Sequence, residues 1–406
     1  MRSLPATSLI YKTTLFIVTL LYIVPSVIFS FPSATLTALV LSLFFLFKIL
    51  IDNKIEKNTF IFIGYLLLCL FLLLIPFLYH GGLDNTVFKY FLYGLLSFVS
   101  SVTIISFYRS LYHENFEYYL LRNIVCVALI NLALTTVILF SNSFMDVFYS
   151  VFSLSESAER YLKLGLRISG MFASGFSILS VFYALSLYLN LIIISEYELP
   201  PRVRLFYYIS AVILFCGIVY SGRLGLIVIA CVLTLSLVAK NNFFGLDKRL
   251  VIKIMLLSGV FSLFVIVKYH EQIYATLVWA FGVFGDNTIS FIIENMLFFP
   301  KDYIIGIGSF GRGANVEYIE SDLGFVLLSY YGGIFLSSFI LVSFLFWAIY
   351  IQFFVRSSSR LKPFVTLLFL CHIAFNFKDV YFFGSSGVTQ ILFLTLSALF
   401  YKKKMQ

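Results

Sequence analysis

Charge is what this sequence lacks most. Only 12% of its 406 residues are Asp, Glu, Lys or Arg, against about 25% in an average soluble domain. A soluble globule with so few charges would not stay in solution, which excludes a soluble enzyme and a disordered regulator. Histidine is scarce as well, and His80, His113, His270 and His372 are far apart in the chain. The five cysteines (Cys69, Cys126, Cys216, Cys231 and Cys371) all lie within apolar runs and show no CxxC or CxxH spacing. Neither a structural metal nor a disulfide framework is indicated, so no metal ligands and no cofactor are expected. Internal repeats and low-complexity tracts are missing too.

What is present is apolar. Hydrophobic residues make up 61% of the chain and aromatics 19%, with 49 Phe and 27 Tyr. A membrane-spanning helix needs roughly 20 mostly apolar residues. Twelve segments qualify, at about 13–31, 34–51, 59–78, 87–107, 120–140, 170–194, 205–221, 223–239, 250–268, 323–355, 362–376 and 384–401. The expected fold class is therefore all-α: one polytopic transmembrane domain over 1–406 with about twelve transmembrane helices. The first segment lacks a small-residue cleavage site and runs directly into the second through Phe31-Pro32-Ser33, so it reads as a span rather than a signal peptide. The tenth is too long for one straight helix; tilt, or a break at Gly332-Gly333, would accommodate it.

The net charge of +9 has no clustered basic segment behind it, so it reads as positive-inside bias rather than nucleic-acid binding. With both termini placed in the cytoplasm, nineteen Lys and Arg fall on the inner side. The nine on the outer side are Lys89, Arg160, Lys163, Arg167, Arg223, Lys268, Lys301, Arg312 and Lys378. Twelve of the nineteen acidic residues also fall outside, Asp84 and Asp146 among them. Two outer loops are long, 141–169 and 269–322, and the second is expected to hold short interfacial helices.

Positive-inside bias disfavours the outer cations, so these are the informative ones. Arg223 sits in the tight turn Tyr220-Ser-Gly-Arg-Leu-Gly225 between two apolar runs, where a guanidinium fork suits a phosphate or pyrophosphate. An arginine that snorkels to the headgroups is the bland alternative. Arg160, Lys163 and Arg167 share one face if the approach to the sixth span is helical, as a diphosphate site or an interfacial helix. The stretch Gly306-Ile-Gly-Ser-Phe-Gly-Arg-Gly313, which carries Arg312, has no following Lys-Ser/Thr and so is not a P-loop. Glu320 and Asp322 enter the tenth span from outside. One of them can serve as a general base, or Ser321 or Asp322 can simply cap the helix. Lys378, beside Asp379 in the last outer loop, is a further ligand candidate.

Taken together, the twelve spans, the large outer loop before the tenth, Ser221-Gly-Arg-Leu-Gly225, and Gly306-x-Gly308 followed by Glu320-Ser-Asp-Leu-Gly324 resemble the superfamily of O-antigen polymerases (Wzy-type) and O-antigen ligases. The resemblance implies a GT-C-like, metal-independent glycosyltransferase of the bacterial inner membrane, with its active site facing the periplasm. Its substrates would be undecaprenyl-pyrophosphate-linked glycans, its surroundings membrane lipids, and its partner class a chain-length regulator protein; no nucleic acid is involved. Arg223, Arg167, Arg160, Arg312 and Lys378 would bind the diphosphate or substrate, and Glu320 or Asp322 would be catalytic. The ligase branch carries a His-Asn pair entering the span after the large loop. Here Asp322-Leu323 stands there with no histidine near, which favours polymerase over ligase. The Arg-x15-Gly loop pattern of some polymerases is not matched either, since fourteen residues separate Arg160 and Gly175. A flippase for the same lipid-linked glycan is the competing class, but it would be expected to show charges within spans, two similar halves and short loops.

Overall fold

An apolar chain that leaves water must satisfy its peptide groups internally, and the helix does so within one segment. In the computed structural model this is the dominant outcome. The structure describes residues 6–29, 31–52, 55–82, 84–154, 170–173, 176–238, 304–311, 323–355, 361–377 and 386–401, with a few single positions outside these ranges. The elements are α1 (Ala6–Ile23), β1 (Val27–Ile28), β2 (Phe31–Pro32), α2 (Ser33–Asp52), α3 (Lys57–Tyr79), α4 (Thr86–Tyr112), α5 (Phe116–Phe140), α6 (Asn142–Val151), β3 (Phe152–Ser153), α7 (Phe176–Glu196), α8 (Pro201–Ser221), α9 (Arg223–Val238), α10 (Gly324–Phe353), α11 (Leu361–Phe375) and α12 (Val388–Phe400). Eleven of the twelve apolar segments coincide with helices. Most of 250–268 and most of 269–322 lie outside the described residues.

Among the described residues, five helical stretches are long and apolar enough to cross a membrane: Lys57–Tyr79, Thr86–Phe140, Ser177–Glu196, Pro201–Ser221 and Gly324–Phe353. The second comprises α4 and α5, which turn at His113, a non-glycine residue with φ of 51°. Large side chains face outward from the helices, with Phe44, Phe47, Phe71, Phe335 and Phe353 all more than half exposed. Hydroxyls inside the helices return to their own backbone, as Thr19 does to Leu15 O (2.7 Å) and Ser186 to Phe182 O (2.8 Å). Apolar outside and self-satisfied inside is the arrangement that suits a membrane-embedded protein.

The chain divides into two units, and α4 contributes to both. The first contains α1, α2, the later part of α4, α5 to α9 and α12. Its centre is α7, buried from Leu179 to Ile194, as expected of a helix that is apolar all round. Polar side chains fix its neighbours: Asn190 Nδ2 donates to Tyr207 O of α8 at 2.8 Å and Asn131 Nδ2 of α5 donates to Tyr183 Oη at 2.8 Å. Tyr22 Oη donates to Ser97 O at 2.8 Å, and Ser101 and Ser397 hydroxyls pair at 2.5 Å.

One expectation is corrected here. The first span was placed at 13–31, but α1 runs from Ala6 to Ile23 and stops before Pro25. Proline has no amide hydrogen to continue a helix. The next residues form instead a hairpin, in which Val27 pairs with Pro32 and Ile28 with Phe31; β3 joins the other edge of β1, so the strand order is β2-β1-β3.

The second unit contains α3, the start of α4, α10 and α11. Trp347 of α10 meets Phe62 of α3 edge-on with ring centroids 4.7 Å apart, and Tyr65 and Ser343 hydroxyls pair at 2.8 Å. The break expected at Gly332-Gly333 is present: Gly333 has φ 74° and ψ −177° inside α10.

Candidate functional site

In the first unit, chemistry gathers at the head of α9. Helix α8 ends at Ser221, Gly222 takes an extended backbone, and Arg223 is the first residue of α9. Gly225 explains why the turn can be this tight. A Cβ there would lie 2.2 Å from Ser180 O, and the Gly225 amide donates to Ser180 Oγ at 3.0 Å. The Arg223 backbone is therefore held against the start of α7. Tyr149 of α6 lies within electrostatic reach of Tyr220, one residue before Ser221. Burial and that neighbour push the Tyr149 phenol up to about 12, so it is a proton donor across the physiological range.

The segment after Arg167 reaches the same end of this unit. Gly170 has φ 62°, and a Cβ on it would lie 2.6 Å from Asn131 Oδ1. The Met171 amide donates to that same oxygen at 2.8 Å, and the Ala173 amide donates to Pro25 O at 3.0 Å. Arg160 and Arg167 themselves lie outside the described residues.

In the second unit, the glycine-rich stretch that carries Arg312 docks into the broken helix. A break inside an apolar helix frees carbonyls that must find other donors. The Ile307 amide donates to Tyr330 O at 2.7 Å and the Gly308 amide to Tyr331 O at 3.1 Å. A Cβ on Gly333 would lie 1.9 Å from Ile304 O, and one on Gly306 2.6 Å from the Gly333 amide nitrogen. The two glycine motifs thus exist for each other: each removes the side chain that would keep the backbones apart.

Two residues that the sequence reading did not single out hold this loop. Asp84, buried at 2% exposure, accepts the Phe310 amide through Oδ2 at 2.8 Å and the Thr86 amide through Oδ1 at 2.9 Å. His80 lies under Gly308, where an added Cβ would meet its Cβ at 2.5 Å, and its Nε2 is buried without a hydrogen-bond partner among the described residues. The available signal was weak: Asp84 is the lone acid between two long apolar runs, beside Gly81-Gly82.

Arg312, Glu320, Asp322 and Lys378 lie outside the described residues, but their neighbours converge within this unit. The Phe325 amide donates to Asn376 O at 3.0 Å, and the rings of Phe325 and Phe377 stack at 5.8 Å. The start of α10, which follows Asp322, is thereby tied to the end of α11, which precedes Lys378. The expected N-cap at Ser321 or Asp322 is corrected, with Asp322 itself outside the described residues. The N-cap of α10 is Leu323, whose amide donates to Ser321 Oγ at 3.2 Å. Among the described residues no group of three His, Cys, Asp or Glu is placed to hold a metal ion.

No protein-family model, no curated protein and no solved structure matches the chain.

Proposed function

We propose that this chain is a bacterial inner-membrane glycosyltransferase that polymerises undecaprenyl-pyrophosphate-linked oligosaccharide units into a surface polysaccharide of the O-antigen type. The observation that carries the reading is Arg223. It is a cation on the side that positive-inside bias disfavours, and it opens α9, a helix with no acidic residue in its first turn. A helix N-terminus already carries a partial positive charge, so an arginine there is unfavourable unless an anion answers both.

The chemistry needs little else. A polyprenyl diphosphate is an activated donor. An acceptor hydroxyl oxygen attacks the anomeric carbon, the carbon–oxygen bond to the diphosphate breaks, and the hydroxyl proton passes to a carboxylate. Arg223, with Arg167, Arg160 and Arg312, is assigned the diphosphate charge; Lys378 is a further substrate ligand; Glu320 or Asp322 is assigned the proton. In this reading the termini are cytoplasmic, the site faces the periplasm, the fold is GT-C-like with about twelve spans, and a chain-length regulator is the partner class.

The test is the lipopolysaccharide banding of a deletion strain complemented with the wild-type chain or with Arg223→Ala at matched expression. The expected result is long-chain polymer with the wild type and a single repeat on the lipid core with the variant. Unligated polymer in the deletion strain would indicate a ligase, loss of all periplasmic repeats a flippase. Normal chain length in Arg223→Ala would refute the role given to this residue.

A further inference from the structure

Hydroxyl groups inside these helices usually return to a carbonyl one turn back. Within α8, Ser210 Oγ donates to Phe206 O at 2.8 Å; in α9, Ser236 Oγ donates to Val232 O at 2.6 Å. Ser221 does not. It is 1% exposed, it is the residue immediately before Gly222 and the α9 N-terminus, and its Oγ has no hydrogen-bond partner among the described residues. The Tyr149 hydroxyl oxygen is likewise buried and without a hydrogen-bond partner among the described residues, within electrostatic reach of Tyr220. Leaving a buried hydroxyl unpaired is unfavourable. Ser221 directly precedes Gly222 and α9, a helix of 16 residues that begins with arginine and has no acid in its first turn.

Resting on the function proposed above, we propose that Tyr149 and Ser221 are the neutral hydroxyl ligands of the lipid-linked diphosphate, donating to its oxygens at the head of α9. The positive helix end and Arg223 supply charge, while the two hydroxyls supply direction. A diphosphate has enough acceptor oxygens for all of them, and an alcohol headgroup does not. The same donors would also meet a phospholipid phosphate, so the test must separate the two sources.

The experiment uses the full chain in a maltoside detergent without phospholipid and measures binding of undecaprenyl diphosphate, with undecaprenol as the control lipid. Tyr149→Phe and Ser221→Ala each remove one oxygen and little volume. Each is expected to weaken undecaprenyl diphosphate binding by about tenfold, the effect of one hydrogen bond to a charged group, and to leave undecaprenol binding unchanged. Because each removes an unpaired buried hydroxyl, melting temperature without ligand is expected to hold or rise. A purely structural role predicts the reverse, with lower melting temperature and intact affinity, and would overturn the proposal. Equal displacement of undecaprenyl diphosphate by added phosphatidylglycerol would overturn it too, leaving a general lipid-phosphate site. If Arg223→Ala loses binding while Tyr149→Phe and Ser221→Ala match the wild type, this inference fails and the proposed function stands. If Arg223→Ala binds and polymerises normally, the role given to Arg223 in the proposed function fails.

Discussion

The carboxylate of Asp84 accepts the Phe310 amide at 2.8 Å, although the two are 226 positions apart in the chain. With the Thr86 amide on its other oxygen, one buried acid joins the start of α4 to the glycine-rich loop. That loop in turn supplies the donors for the carbonyls freed by the break in α10. A buried carboxylate is costly unless its oxygens are bonded. Here each takes a backbone amide, so the acid anchors the loop that leads to Arg312.

Asp84→Ala is expected to leave the Phe310 and Thr86 amides without their acceptor, at about 1–3 kcal/mol for each buried donor. Asp84→Asn keeps one carbonyl oxygen and should cost less. The direct readout is maleimide labelling of Ser309→Cys in a background without the five native cysteines. Ser309 is buried, so labelling should be slow with Asp84 present and accelerate in Asp84→Ala. Unchanged labelling would mean that the loop is anchored elsewhere.

The glycines of the second unit should separate sharply. Gly333→Ala must adopt φ 74° and place a Cβ 1.9 Å from Ile304 O, a backbone atom that cannot swing aside. Strain at such a position alone costs about 1–3 kcal/mol, and the clash adds to it. Gly64 in α3 has nothing within 4 Å of its added Cβ, so Gly64→Ala should stabilise by roughly 0.5–1 kcal/mol. Melting in detergent should therefore fall for the first and rise for the second. Equal shifts would remove the argument for the docked break.

The break in α10 was legible because two consecutive glycines interrupt an apolar run too long for one straight span. Helices were legible wherever the apolar run was uninterrupted. The hairpin around Val27–Pro32 was not, since two-residue strands leave no alternating pattern and its turn residue Phe29 takes φ 46° without being glycine. Asp84, His80, Tyr149 and Ser221 were missed for another reason. Each is defined by what surrounds it in space: an amide 226 residues away, a glycine across a loop, or the want of a partner. Arg223 stands out in the sequence because the expected side-of-membrane bias is a property of the sequence itself.

Asn131 should be sensitive at both ends of its amide. Its Nδ2 donates to Tyr183 Oη at 2.8 Å and its Oδ1 accepts the Met171 amide at 2.8 Å, all within a fully buried setting. Asn131→Leu loses both bonds and leaves the buried Met171 amide without this acceptor, while Tyr183 keeps Thr135, an expected cost of about 1–3 kcal/mol. Because Met171 closes the segment that follows Arg167, polymer length should shorten in the same variant. A stable Asn131→Leu with normal banding would show that this clamp neither supports the fold nor positions the segment.

The pH response of Tyr149 has a definite sign. Its phenol is raised from the ordinary 10 to about 12, chiefly by burial and then by Tyr220. A group whose folded value lies above its unfolded value gives stability that is complete below pH 10 and is lost as pH rises toward 12. The donor form is also the form that bonds a phosphate oxygen. The affinity gap between wild type and Tyr149→Phe for undecaprenyl diphosphate should therefore stay constant from pH 7 to pH 10 and close only above that. An ordinary exposed tyrosine would be half ionised at pH 10, and the gap would already be closing there. Titrating the two proteins in parallel separates these outcomes, since every other tyrosine is common to both.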